Sequence, residues 1–358
     1  MLFSLNLKAF LLKLLTNKKS IDFELTDVKS VLFFRYDRIG DMIITTPVFR
    51  EFKRSFPDVK TMVLASKANK DILQNNPYID EIIVNNKNNF FGDFISLLKL
   101  RFRKVDVCVE LDHSVVPHAI IRLKIINPKK IISVRKDGRY GVSGDELSMY
   151  DFYTKKASNM HFRDIWLSTL HPFGIKPINN SYDLFPTNSQ EKIAKKFLKN
   201  YGNKIKIGIN MEGAVKGKKI HEIDLEKICK GLKKAHKDIQ IIIITAPEKL
   251  ERVIQLVKKM GHSYVTPSYK TSKILDVAAL IKNLDIIITP DTSISHIASA
   301  FNKPIVSLHE NNQNSYQLFS PTSSLSKTVF ATEKNSLMGY DVQQVIDYTN
   351  LILMERSA

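Results

Sequence analysis

Only two cysteines occur in 358 residues, Cys108 and Cys229, far apart and set among aliphatic neighbours. That excludes a disulfide framework and a thiolate metal cage, and it fits a reducing compartment. Glycine and proline number 13 each against a hydrophobic content of 44%, which excludes a disordered chain and leaves a globular one with substantial cores. No apolar run reaches the roughly 20 residues of a membrane-spanning helix. Gly-x-Gly-x-x-Gly follows no apolar run, which argues against a dinucleotide-dependent oxidoreductase. Zinc-ligand spacing, a basic region with heptads and paired aromatic-rich strands are absent as well, so no nucleic-acid-binding motif is present.

Acidic residues are scarce too. The 36 Asp and Glu face 54 Lys and Arg, a formal charge of +18 that would draw polyanions such as nucleic acid, anionic lipid or a phosphorylated glycan. Of those 54, however, 42 are lysines spread along the chain beside many Asn and Ile, the mark of compositional bias. No nucleic-acid partner is expected.

The first residues, Met1 to Leu15, are largely apolar with Lys8 and Lys13 among them, and they run into Lys18-Lys19 without a small-residue cleavage site. That is a poor match to a signal peptide. At about 100° per residue Phe3, Leu7, Phe10, Leu11 and Leu14 share one helix face. Two readings stay open: an interfacial helix on an anionic membrane, or a helix packed on the first lobe.

Length favours two domains, because single cores stop growing at a few hundred residues. Short aliphatic runs alternate with helical stretches: Val31 to Phe34 then Pro47 to Ser55, Thr61 to Leu64 then Lys70 to Asn75, Val105 to Leu111 then Val116 to Ile126. Fully apolar strands separated by helices signal a parallel sheet covered on both faces. The rhythm restarts with strands at Ile205 to Ile209, Ile239 to Thr245, Asp285 to Thr289 and Ile305 to Leu308, and helices at Glu222 to Ala235, Glu248 to Met260 and Lys273 to Lys282. Between the halves, His171 to Pro186 holds three prolines and Asn179-Asn180, which suits a linker. The expected division is a helical extension over 1–27, lobes over 28–180 and 181–340, and a final helix over 341–358. Doubly wound sheets bind ligands beyond the carboxyl ends of their strands, so the loops after the strands are where chemistry is expected.

Three such loops stand out. The first apolar run ends in Phe34-Arg35-Tyr36-Asp37-Arg38-Ile39-Gly40-Asp41, followed by Thr45-Thr46-Pro47. Thr45 or Thr46 is expected to cap a helix starting at Pro47, with Gly40 making a tight turn. Asp41 there could take a proton from a hydroxyl as general base, with Arg35 and Arg38 holding it ionised or holding an acceptor phosphate. The plainer reading is a carboxylate bonded to the helix start beside solvated arginines. In the second half, Ile286 to Thr289 runs into Pro290-Asp291-Thr292-Ser293-Ile294-Ser295-His296. Hydroxyls and backbone N–H groups at that helix start could cradle a diphosphate; otherwise Asp291 and Thr292 are caps and His296 a core histidine. The loop Asn210 to Lys219 holds Gly213 and three lysines, one of which could neutralise a departing diphosphate.

Together these loops resemble glycosyltransferase family 9, the bacterial lipopolysaccharide heptosyltransferases. The family's Arg-x-Asp/Ser-x-x-Gly-Asp-x-x-x-Thr-x-Pro is matched by Arg35, Asp37, Gly40, Asp41, Thr45 and Pro47. Its Gly-Ala then Lys-x-Trp-Pro is matched by Gly213, Ala214 and Lys218, with Ile220-His221 in place of Trp-Pro. Its Asp-Thr/Ser-Gly-x-x-His-x-Ala with a following Pro-x-Val is matched by Asp291, Thr292, His296, Ala298, Pro304 and Val306, with Ser293 where glycine is usual.

The resemblance runs from about Val28 to the last helix. It implies an α/β GT-B fold, two doubly wound Rossmann-like lobes facing each other across a cleft, and an inverting, metal-independent transfer of a heptose or related sugar with no cofactor. No metal-binding Asp-x-Asp pair occurs, which agrees. Carried over by residue, Asp41 is the base. Lys218, Asp291, Thr292, Ser293, His296, Gly213 and Glu248 lie on the donor side, and Arg35, Arg38, Gly40, Asp112 and His113 on the acceptor side. The implied partners are a nucleotide sugar, ADP-heptose by default, and a lipid-linked core oligosaccharide at the cytoplasmic face of the inner membrane, with peripheral membrane contact. Lys249, in the loop where the family places an acidic residue near the ribose, bears on the donor, as does Ser293. A non-catalytic paralogue that binds nucleotide sugar or glycan is the second expectation, and a nucleotide-sugar epimerase on the same fold stands behind both.

Overall fold

The computed structural model of the chain describes residues 2–16, 21–85, 90–154, 160–213 and 217–357; Lys18, Lys19, Ala214 and Lys216 of the reading above lie outside them, and so do the side chains of Phe3, Leu7 and Lys8. The chain divides into two compact units, Met1–Asn180 and Ser181–Ala358.

In chain order the first unit holds α1 (Leu2–Leu15), β1 (Ser30–Phe34), α2 (Ile39–Ser55), β2 (Lys60–Ser66), β3 (Glu81–Asn85), α3 (Phe90–Phe102), β4 (Val107–Glu110), α4 (Pro117–Ile126), β5 (Lys130–Ser133), β6 (Phe152–Tyr153) and α5 (Phe162–Leu167). The strands form one sheet in the order β3-β2-β1-β4-β5-β6, every pair parallel. Strand β1 reads as an unbroken apolar run because both its faces are covered. Phe33 meets Phe49 and Phe52 of α2 at ring separations of 5.2 and 5.6 Å, while Leu32 and Phe34 turn into a core shared with Ile120 and Leu123 of α4.

Helix α2 starts eight residues before the expected Pro47. Arg38 is its N-cap, Gly40 and Asp41 lie in its first turn, and Pro47 is interior. Gly40 has no left-handed backbone, so the tight-turn expectation falls with it. A proline inside a helix leaves the carbonyl four residues back without its N–H partner. Here the Thr46 hydroxyl donates to Ile43 O at 2.7 Å, and the Thr45 hydroxyl donates to Asp41 O at 2.7 Å. The two threonines bond back into the helix instead of capping it. The helix expected over Lys70 to Asn75 is a short 3-10 turn, Lys70–Leu73.

The second unit holds α6 (Asn188–Lys199), β7 (Ile205–Asn210), α7 (Glu222–Ala235), β8 (Ile239–Ile244), α8 (Leu250–Met260), β9 (Val265–Pro267), α9 (Ile274–Lys282), β10 (Ile286–Pro290), α10 (Ser293–Ala300), β11 (Ile305–His309), α11 (Gln313–Phe319), β12 (Ser326–Phe330) and α12 (Val342–Ser357). Its sheet is β12-β11-β10-β7-β8-β9, again all parallel. Each sheet reverses its direction of growth once, between β1 and β4 in the first and between β10 and β7 in the second. A doubly wound sheet opens a ligand crevice at such a point. The loops that leave β1, β7 and β10 are the three singled out by sequence, and the loop that leaves β4 carries Asp112 and His113. Among the described residues no helix is long and apolar enough to cross a membrane.

At the centre of β7 a Cβ on Gly208 would lie 2.6 Å from Leu284 Cδ1 and 2.9 Å from Ile287 Cδ1. Gly208→Ala is expected to destabilise by about 1–3 kcal/mol through overpacking, read as a lower urea midpoint. An unchanged midpoint would show that this contact constrains nothing.

Candidate active site

In the first unit the site is built around one buried cation. Arg35 leaves the end of β1 only 3% exposed, and its guanidinium carbon sits 3.8 Å from the ring centroid of Trp166 on α5. Three carboxylates face it: Asp37 at 3.4 Å, Asp41 at 3.7 Å and Asp112 at 3.9 Å. The Asn69 side chain donates to Arg35 O at 3.1 Å and accepts from Ser66 N at 2.8 Å, pinning the strand end from which the arginine departs.

Asp41 lies in the first turn of α2, where the helix dipole favours an anion. Burial nonetheless raises its carboxyl above the ordinary carboxylate value; Arg35 pulls the other way, the negative charge of Asp37 adds to the rise, and Arg38 opposes it. Asp112 follows β4 and is pushed up to about 7, first by burial, then by Asp37 and against Arg35.

Beneath Asp112 lies a wholly buried ion pair, Lys136 with Glu110. Glu110 accepts the Asp112 N–H at 3.0 Å and the Tyr150 hydroxyl at 3.2 Å, and Lys136 also donates to the Asp112 carbonyl. Burial and the charge of Arg35 push the Lys136 ammonium below its ordinary value. The other residues expected on the acceptor side stand at the margin. His113 is exposed with its ring 5.0 Å from Phe162, and Arg38 is exposed at the cap of α2.

In the second unit Asn210, at the end of β7, donates to Thr289 Oγ1 at 3.0 Å, to Thr292 Oγ1 at 3.3 Å and to Glu212 O at 2.9 Å. Thr292 is the N-cap of α10 and accepts from Ile294 N at 3.2 Å, so part of the plainer reading holds for it. Asp291 is not a cap. Its N–H donates to Leu308 O at 3.0 Å, and its partly exposed carboxylate lies 4.0 Å from His309 Nδ1. His309 is buried, and that burial holds it below the ordinary histidine value, so the ring is neutral near pH 7. Next to it Glu310 pairs with Lys218 at 3.0 Å.

Gly213 lies where the loop closes on itself: a Cβ there would fall 1.3 Å from Lys218 O, so no other residue fits this path. Ser293 is the first residue of α10, and His296, one turn further, is buried edge-on to Tyr182 at 6.3 Å. Glu248 is exposed in a short 3-10 turn, while Lys249 beside it pairs with Glu212 at 2.5 Å. Among the described residues no group of three or more His, Cys, Asp or Glu is placed to hold a metal ion.

The structure thus gathers Arg35, Asp41 and Asp112 in one unit, and Lys218, Asp291 and Thr292 around the loop ends of the other. It adds Asp37, Trp166, Asn210, His309 and Glu310, which had no assigned role. Asp37 stands inside the first motif, Trp166 is the only tryptophan, and His309-Glu310 follow an apolar run directly; those were the available signals.

Asp112 yields a pH signature. Its folded value lies above the unfolded one, so its contribution to stability is full below about pH 4 and is lost as pH rises through about 7. Asp112→Asn should therefore gain stability relative to the natural chain between those limits, measured as paired urea midpoints across pH. A difference that does not vary with pH would contradict the raised value of Asp112.

Comparison with known proteins supplies the family. The model of glycosyltransferase family 9 (heptosyltransferase) matches residues 147–338, more than half of the chain. Lipopolysaccharide heptosyltransferase 3 of Escherichia coli is 24% identical over 291 residues, covering 75% of this chain and 80% of that protein. The structure of a family 9 glycosyl transferase from Veillonella parvula matches with a TM-score of 0.76 at 18% identity, over 94% of this chain and all of that one. The E. coli heptosyltransferase WaaC, solved with ADP, gives 0.70 at 16% identity over 90% and 99%. Two six-stranded parallel sheets with helices on both faces and these likenesses define a GT-B fold of two Rossmann-like lobes. The chain belongs to family 9 and is a glycosyltransferase.

Proposed function

We propose that this enzyme transfers a heptose from ADP-heptose to a hydroxyl of the lipid-linked core of lipopolysaccharide or lipooligosaccharide, with inversion and without a metal, on the cytoplasmic side of the inner membrane. The observation that carries this reading is Asp41, seated in the first turn of α2 at the reversal point of its sheet, 3.7 Å from the buried Arg35. A carboxylate whose proton affinity is raised by burial and limited by a fixed cation is suited to general-base work.

In the step proposed, the acceptor oxygen attacks the anomeric carbon opposite the diphosphate. Its proton passes to Asp41. The carbon–oxygen bond to the diphosphate breaks, and the nucleoside diphosphate departs with the bonding electrons. Lys218 and the amides at the start of α10, around Thr292 and Ser293, offset the charge that develops there. Gly213 shapes the loop that presents Lys218, Asp291 contacts the donor sugar, and His296, one turn into α10, belongs to the donor side. Arg35, Arg38, Gly40, Asp112 and His113 form the acceptor side. ADP-heptose as donor is supported by two related structures, the E. coli heptosyltransferase WaaC with ADP and with ADP-2-deoxy-2-fluoro heptose. Glu212, drawn to Lys249, joins Glu248 as a carboxylate beside the loop after β8.

The test is turnover of ADP-heptose with a soluble core acceptor by the natural chain and by Asp41→Asn. The variant should lose about 10²–10⁴-fold in kcat while ADP-heptose still raises its melting temperature. Equal turnover would remove Asp41 from the base role. Stabilisation by donor with no turnover by the natural chain would favour a binding-only paralogue, the reading to which Ser293 and the replaced Trp-Pro point.

A further inference from the structure

Helices α1, α3 and α4 lie in one layer on the first unit's sheet. Helix α4 packs against both of the others, and Leu12, Leu97, Leu100 and Leu123 turn inward to a core shared with Leu32 and Cys108 of the strands. A layer helix ordinarily turns a polar face to water. These do not. On α3, Phe91 is 78% exposed, Ile95 53% and Phe102 80%, a stripe on helical spacing opposite the buried Leu97 and Leu100. On α1, Phe10 is 63% and Leu14 60% exposed, opposite Ala9 and Leu12, and Ile121 of α4 is 46% exposed. Helix α1 packs on the unit through one side and leaves apolar side chains exposed on the other. Contiguous apolar surface of this kind marks an interaction face.

Charge says what covers it. The layer and the turn after α3 carry Lys13, Lys99, Arg101, Arg103, Lys104 and Lys124, and the single acid within these segments, Asp93, is tied to Arg122 at 2.9 Å. Glu146 and Glu81 answer Lys13 and Arg103 from outside the layer. A second copy of the chain would bring two basic rims together, each on a molecule of formal charge +18. An anionic bilayer meets the rim with opposite charge and the stripe with apolar matter.

We propose that this layer is a membrane-docking face that seats on anionic phospholipid, with the stripes of α3 and α1 entering the headgroup boundary. Helices α3 and α4 begin at the carboxyl end of the sheet, the end that carries Asp41 and Asp112, and the ring of His118 in the first turn of α4 lies 5.6 Å from that of Tyr36. Docking would therefore bring a lipid-borne sugar to the carboxylates; that consequence rests on the acceptor reading above, whereas the docking itself does not.

The experiment is flotation of the full chain with phosphatidylcholine vesicles, with and without phosphatidylglycerol. The natural chain should float with the anionic vesicles. Phe91→Ser combined with Phe102→Ser should weaken that binding by at least about tenfold, with melting temperature and turnover of a soluble acceptor unchanged. Ile178→Ser should float like the natural chain, because Ile178, 94% exposed, bonds to Glu51 of α2, away from this layer. Flotation of the double variant equal to the natural chain would overturn the proposal, as would equal binding to neutral vesicles. A lipid-independent dimer that the double variant splits would assign the face to a second copy instead. Loss of the transferase reading would leave flotation intact, so the two failures are distinguishable.

Discussion

A guanidinium keeps its proton at any pH a protein meets, so burying one obliges the fold to bring anions to it. Arg35 sets that obligation at the carboxyl end of the first sheet, with carboxylates from the loop after β1, from the first turn of α2 and from the loop after β4 converging on it. Trp166 of α5 closes one face of the cation. The dependence is mutual: without Arg35 three carboxylates would crowd one partly buried site, and without them the arginine would lie uncompensated. The loops that surround the proposed base are positioned by this exchange.

The support continues one layer down. Glu110 and Lys136 are both wholly buried, and removing one partner of such a pair typically costs about 3–5 kcal/mol. Because Glu110 also accepts the Asp112 N–H, the pair holds the loop after β4 at its backbone. The second unit reaches a similar end by other means. Asn210 ties the end of β7 to Thr289 and to the cap residue of α10, and the run from Asp291 to His309 and from Glu310 to Lys218 joins loops that are far apart in sequence.

What could be read from the sequence follows from these forces. Strands covered on both faces announce themselves as unbroken apolar runs, and β1, β8 and β10 were legible for that reason. Strands β3 and β12 are half buried with mixed residues, and β6 spans two residues; such patterns carry little signal. The start of α2 was misplaced because Pro47 looks like a first helical residue, and only the Thr46 bond to Ile43 O shows how a proline is accommodated inside. Arg35, Asp112 and Lys218 sit in loops after strands and Asp41 in the helical turn that follows one, where motif and topology agree. The roles of Trp166, His309 and Glu310 arise from contacts across long sequence separations, which spacing cannot reveal.

The claim at the centre is that Arg35 governs the ionisation of the carboxylates beside it. Carbon-13 NMR of the Asp41 and Asp112 carboxyl groups across pH, in the natural chain and in Arg35→Gln, tests it most directly. Arg35 lowers both groups against the effect of burial, so both should titrate at higher pH in the variant; titration at the same or lower pH would contradict the account.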